Sequence, residues 1–140
     1  MKKVALTALA ALTFLPGCVP YPVYKTLQPA AQIVVHDEAN HPVANAEVVL
    51  LASAYPYGFE RSRETRETND QGIASFASQR EWKVETLMIH GALEYFWNWC
   101  VRKDGYVTYL TSDRDADDFQ SAPVVRLKRG QSTACPVPSR

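Results

Sequence analysis

The stretch "LEYFWNWCVRK", residues 93–103, decides the fold. Tyr95, Trp97, Trp99 and Val101 occupy every second position. Between them stand Glu94, Phe96, Asn98, Cys100 and Arg102, a mostly polar set. Successive side chains of a strand point to opposite faces, so this alternation is that of a half-buried antiparallel strand. Core packing is the expected role of Trp97 and Trp99, in preference to a ligand platform.

The same period runs outward from this strand. Ile33 with Val35, Ala46 with Val48 and Leu50, and Ala74 with Phe76 are apolar sets that each share one strand face. Turn residues separate the runs: "EANHPVAN" after Asp37, and "NDQG" at 69–72, where Asn, Asp and Gly tolerate positive φ. "RSRETRET" reads as a polar alternating strand, and "PVVRLKR" at 123–129 as the last run. Short strands with turn residues between them predict an all-β sandwich. The outer face is less clean. Val34, Val49, Leu51, Ile73 and Phe96 all point away from the core, and an apolar patch needs a cover or a partner. The expected cover is "SQREWKVETLMIHG", residues 78–91. Ser78 and Glu81 match a capping box. Trp82, Val84, Thr86 and Met88 alternate as in a strand, which is the favoured reading beside a short helix.

The order "IVVHDEANHPVANAEVVL … TNDQGIASF … WNWCVRKDGYVT … APVVRLKR" resembles the carboxypeptidase regulatory-like domains. That family opens on an aspartate, a turn and a "PV-x-x-A-x-V" theme. A threonine-rich strand with "D-x-x-G", an aromatic strand ending in "GY" and a closing strand follow. The resemblance covers 33–129. It departs at His41, where the first turn usually carries glycine, and at 78–93, where the family is shorter. It implies an all-β fold, a seven-stranded Greek-key β-sandwich that is prealbumin-like, with Ile33 and Val35, Ala46, Val48 and Leu50, Ala74 and Phe76, and Tyr95, Trp97, Trp99 and Val101 facing inward. The sandwich would span 31–129, with an extra segment around 78–93 and a C-terminal tail at 130–140.

The chain begins with Met1, Lys2 and Lys3, then an apolar run over 4–15. Those 12 residues fall short of the roughly 20 that a spanning helix needs. This is the form of a secretory signal peptide. Leu15-Pro16-Gly17-Cys18 resembles the lipobox of bacterial lipoproteins. Small Gly17 suits entry into a peptidase cleft, and the Cys18 thiol suits thioether formation. The resemblance implies a signal peptide over 1–17 and acylation of Cys18. It also implies attachment to the outer membrane, facing the periplasm, since Val19 is not the aspartate that often marks inner-membrane retention. Pro20 and Pro22 make 18–30 read as a proline-rich, extended tether without a core of its own.

Cleavage there leaves 123 residues with 13 basic and 15 acidic side chains, a net charge of −2, because Lys2 and Lys3 are the only charges removed. That length suits one domain. No basic stripe is present, so a nucleic-acid partner is not expected. With Cys18 acylated in an oxidising compartment, Cys100 and Cys135 are expected to form a structural disulfide that pins the tail across the outer face of the aromatic strand. Two free thiols or an intermolecular bridge are the competing readings.

Chemistry along the chain is thin. His36, Asp37, Glu38 and His41 cluster at a turn, but their spacing fits no zinc signature, and a solvated turn is expected. No nucleophile elbow, phosphate loop or dinucleotide fingerprint occurs, and no cofactor or metal is expected. The transthyretin-related hydrolases share this fold class, with a histidine in the first strand and a "YRGS" end. Here His36 lies towards the turn and the chain ends "PVPSR". Tyr55, Tyr57 and Phe59 alternate in "AYPYGFE". They read either as a candidate partner-binding surface, since tyrosine is favoured in recognition, or as rings closing an open end of the sandwich. The expected function is a non-enzymatic envelope lipoprotein that binds a partner protein or stabilises an assembly. The alternatives are an accessory lipoprotein of a secretion system, and a glycan or cell-wall binder using the Tyr55–Phe59 loop.

Overall fold

A computed structural model describes residues 20–86 and 92–137, and among these every regular element is a strand. Cys18, Met88 and His90 lie outside the described residues. The strands are β1 (Pro20–Gln28), β2 (Ala31–Asp37), β3 (Glu47–Tyr55), β4 (Phe59–Glu67) and β5 (Ile73–Phe76). They continue with β6 (Gln79–Thr86), β7 (Glu94–Arg102), β8 (Tyr109–Leu110) and β9 (Val124–Leu127). One sheet has the order β4-β3-β7-β8, and a second has the order β5-β2-β9 with β2 and β9 parallel. These seven strands make the sandwich, and β1 pairs with β6 in a separate antiparallel ribbon.

The core lies between the two sheets and follows the expected faces. Ile33, Val35, Val48, Leu50, Ala74, Phe76, Trp97, Trp99 and Val101 are buried in one cluster, with Tyr95 packed against it. Trp99 stacks on Phe119, ring centroids 5.5 Å apart, and meets Phe76 edge-on at 5.4 Å. Each buried indole donates its N–H to a carbonyl: Trp97 to Leu27 and Trp99 to Gln120, at 2.8 and 2.9 Å. An indole buried without such an acceptor would lose a hydrogen bond to water and gain none.

Two expectations change. The segment expected to be a tether is β1, whose register runs from Pro20 opposite Thr86 to Gln28 opposite Gln79. Prolines two apart place both missing donors on one edge of a strand, so an edge strand tolerates them. Gln28, buried, fastens the root of this ribbon: its Nε2 donates to Glu64 at 2.6 Å and to the Ala77 carbonyl at 2.9 Å. Farther along, burial opposes the charge of Glu85, yet the Lys25 ammonium, the Leu93 amide and the Tyr21 hydroxyl outweigh it. The Glu85 carboxyl is held below the usual range.

The second change is the cover of the outer face. The described part of the extra segment is strand, and Ser78 donates to the Gln28 carbonyl at 3.3 Å instead of capping a helix. It pairs with β1 and does not lie over Val49 and Leu51. Those two residues and Cys100 are buried under the C-terminal tail, which Cys135 brings into contact with them. A covalent bond holds a tail that has little apolar surface of its own.

The turn after β4 depends on one glycine. Gly72 has φ +73°, a conformation costly for any residue with a Cβ. A Cβ there would also stand 2.3 Å from the Val35 carbonyl oxygen in β2. Gly72→Ala is therefore expected to cost more than the roughly 1–2 kcal/mol of left-handed strain alone. Thermal unfolding would check this; an unchanged midpoint would contradict the close approach of the turn to β2.

Candidate functional site

β3 and β7 pair so that Leu51 faces Asn98 and Ser53 faces Phe96. These four side chains share the outer face of the sheet and floor an open groove of about 430 Å³. Tyr55 and Gly58 of the β3–β4 hairpin wall one side, 110–114 another, and Pro136 with Val137 a third. A smaller hollow of about 230 Å³ adjoins it and shares Tyr55, Phe96 and Arg114. The Tyr55 and Phe96 rings, 5.1 Å apart, form the ridge between the two.

Each wall is held by a specific contact. Asn98 Oδ1 accepts from the Thr111 hydroxyl at 2.9 Å and from the Asp113 amide at 2.6 Å, and its Nδ2 donates to the Asp113 carbonyl at 3.0 Å. One amide side chain thus positions a segment without regular structure. Arg63 is fixed by both carboxylate oxygens of Glu60, each at 2.6 Å, and donates to the Pro136 carbonyl at 2.9 Å. The tail is further joined to Thr108, whose hydroxyl donates to the Thr133 carbonyl at 2.6 Å and accepts from the Thr133 amide at 2.9 Å. The Cys100–Cys135 disulfide, with Cα atoms 5.9 Å apart, anchors it to β7.

The groove is acidic and aromatic. Glu60 and Asp113 line the larger hollow, and Glu94 and Asp115 the smaller. Arg114, exposed and without a hydrogen bond or ion pair among the described residues, is the one cation lining either. Burial and then the nearby Asp118 carboxylate push the Asp113 carboxyl above its ordinary value. A carboxylate in that position favours an incoming positive charge.

The candidate surface residues divide. Tyr55 lines both hollows, while Tyr57 and Phe59 stack on one another with centroids 5.8 Å apart and line neither. Tyr55 is 39% exposed, Tyr57 63% and Phe59 43%. His36, Asp37, Glu38 and His41 do not converge on a metal-holding group, and no such group exists among the described residues. Asp37 instead accepts from the His41 backbone amide at 2.8 Å; this bond holds its carboxyl below the usual range. The alternation of β7 placed Asn98 on the correct face, but nothing marked it as a hub. Asp113 and Arg114 fall in "TSDRDADDFQ", an acidic stretch without period, and carry no signal in sequence.

No protein-family model, no curated protein and no solved structure matches the chain.

Proposed function

We propose that the chain is a lipid-anchored envelope protein whose sandwich binds a partner protein through the groove on β3 and β7. In this reading the signal peptide ends at Gly17, Cys18 is acylated, and the mature protein sits on the outer membrane facing the periplasm. Its domain is a carboxypeptidase regulatory-like, prealbumin-like module and acts without catalysis. The carrying observation is the character of the groove: an aromatic ridge, a floor half apolar and half polar, and three lining carboxylates, Asp113, Glu94 and Asp115, beside a Glu60 already paired with Arg63, against one arginine among the lining residues. Such a surface suits a protein segment that presents an apolar side chain beside a lysine or arginine. The apolar group would rest on Tyr55 and Phe96, and the cation would meet Asp113. Aromatic anchors supply contact at low entropy cost, and charge complementarity supplies specificity.

The test is photo-crosslinking in intact cells. A benzophenone amino acid placed at Tyr57, next in sequence to the groove-lining Gly58, is expected to trap one discrete protein. The same probe at Val124, equally exposed at 64% but on the other sheet, is expected to trap none. Asp113→Lys should weaken the Tyr57 adduct about tenfold, the effect of roughly 1.4 kcal/mol of lost charge complementarity. Equal adducts from both positions, or indifference to Asp113→Lys, would remove the groove as the binding surface.

A further inference from the structure

The β1–β6 ribbon has two unlike faces. Tyr21, Lys25 and Glu85 interact on the inner one. On the outer one Pro22 stands opposite Val84, and Tyr24 opposite Trp82. The Tyr24 and Trp82 rings lie 5.2 Å apart. Yet Trp82 is 69% exposed, Val84 73% and Tyr24 54%. An indole, a phenol and a valine side by side in water form an apolar patch that calls for an occupant. The patch is also graded along the ribbon. Its apolar end is the Pro20 end, and at the other end Arg80 donates to the Thr26 hydroxyl at 3.0 Å.

The chain itself indicates the occupant. Cys18 precedes Pro20 by two residues, a reach of at most roughly 7 Å. If Cys18 carries acyl chains, as the proposed function holds, the start of β1 cannot leave the membrane surface. We infer that the Pro22–Tyr24–Trp82–Val84 face is a membrane-contact surface, seated in the lipid headgroup layer beside the anchor. Tryptophan and tyrosine favour that layer because their rings are apolar and their N–H and O–H groups need polar partners. Arg80, at the far end of the face, is placed to keep its guanidinium among phosphates while its stem follows the apolar surface. The anchor then acts with a second contact, and the ribbon orients the sandwich on the membrane instead of letting it swivel about one cysteine.

The inference rests on the acylation of Cys18, and one preparation tests the two separately. The full-length processed protein, purified from the envelope, is reconstituted into vesicles of phosphatidylethanolamine with a minor share of phosphatidylglycerol. The mass of its N-terminal peptide reads the acylation. The difference in fluorescence between the native chain and Trp82→Phe isolates the Trp82 emission from that of buried Trp97 and Trp99. Trp82 is expected to be several-fold less accessible to aqueous iodide than free N-acetyltryptophanamide. It should be quenched by lipids spin-labelled near the headgroup and much less by lipids labelled deep in the chain. An acylated protein whose Trp82 remains fully open to iodide overturns the membrane contact and leaves the anchor standing. Shielding from iodide that grows with protein density and is indifferent to labelled lipid assigns the face to a second copy, and overturns it too. An unacylated N-terminus removes the anchor and the inference together.

Discussion

Trp99→Ala is expected to lower the unfolding free energy by roughly 3–5 kcal/mol, the range for truncating a buried large aromatic. The side chain is 1% exposed and lies against rings on two sides, Phe76 and Phe119. Removing it opens a cavity between the sheets and leaves the Gln120 carbonyl without its donor. The groove wall at 110–114 should stay in place, because its link to Trp99 is made by backbone atoms that alanine keeps, while the Gln120 end is released. Trp99 exchanges hydrogen bonds with Thr111: its amide donates to the Thr111 hydroxyl at 2.9 Å, and its carbonyl accepts from the Thr111 amide at 3.0 Å. Residues 111–120 are thus held at one end by this backbone and at the other by the indole. Urea unfolding with the disulfide intact is the measurement, read as a shift in midpoint at unchanged slope. Trp82→Ala is the comparison: an indole 69% exposed should change stability by no more than about 0.5 kcal/mol. Similar small losses from both substitutions would show that the two tryptophans are misassigned between core and surface.

That contrast marks what the sequence makes legible. Period-two alternation reports a face wherever one side of a strand is buried, so β2, β3, β5 and β7 are readable residue by residue. It does not report what lies on the other side. Val49, Leu51 and Phe96 are apolar on the outer face, and the sequence offers two covers for it, the segment 78–91 and the disulfide-pinned tail, without deciding between them. The cover is tail and hairpin, held by a disulfide and an arginine, and neither leaves a periodic trace. β1 failed for a related reason. Pro20 and Pro22 signal an extended chain, and extended chain is equally a tether or an edge strand; only the partner strand β6 decides. The groove walls were the least legible part. Asn98 acts through three side-chain hydrogen bonds and Arg114 through open charge, and both depend on where an aperiodic loop returns to the sheet. The expectation that survived from outside the alternation is the Cys100–Cys135 bridge, because cysteine chemistry leaves few alternatives once one thiol is set aside.

Removing that bridge should be the other large effect. Cys135→Ala is expected to cost roughly 3–4 kcal/mol, from the entropy that a closed loop of 34 intervening residues denies the unfolded chain. Weaker packing in the folded state adds to this. Cys100 is fully buried with Val49 and Leu51 beneath Cys135, so a detached tail would open that patch to water. Alanine is preferred to serine in the partner variant, Cys100→Ala, since a hydroxyl there would lose its water without a sure acceptor. The groove should respond in parallel, because Pro136 and Val137 form one of its walls and follow Cys135 directly. The hydrogen bond from Arg63 to the Pro136 carbonyl is too weak alone to replace a covalent link, as a single such bond is worth about 1.5–3 kcal/mol at most. Both stability and crosslinking from Tyr57 should therefore fall in Cys135→Ala, and reduction of the native protein should reproduce both losses. The bond itself is checked by mass mapping of unreduced protein from the envelope, where a peptide holding Cys100 should be joined to one holding Cys135. Alkylation of both thiols before any reductant is added would mean that the tail is held by Arg63 and Thr108 alone, and the expected loss would shrink to the size of those interactions.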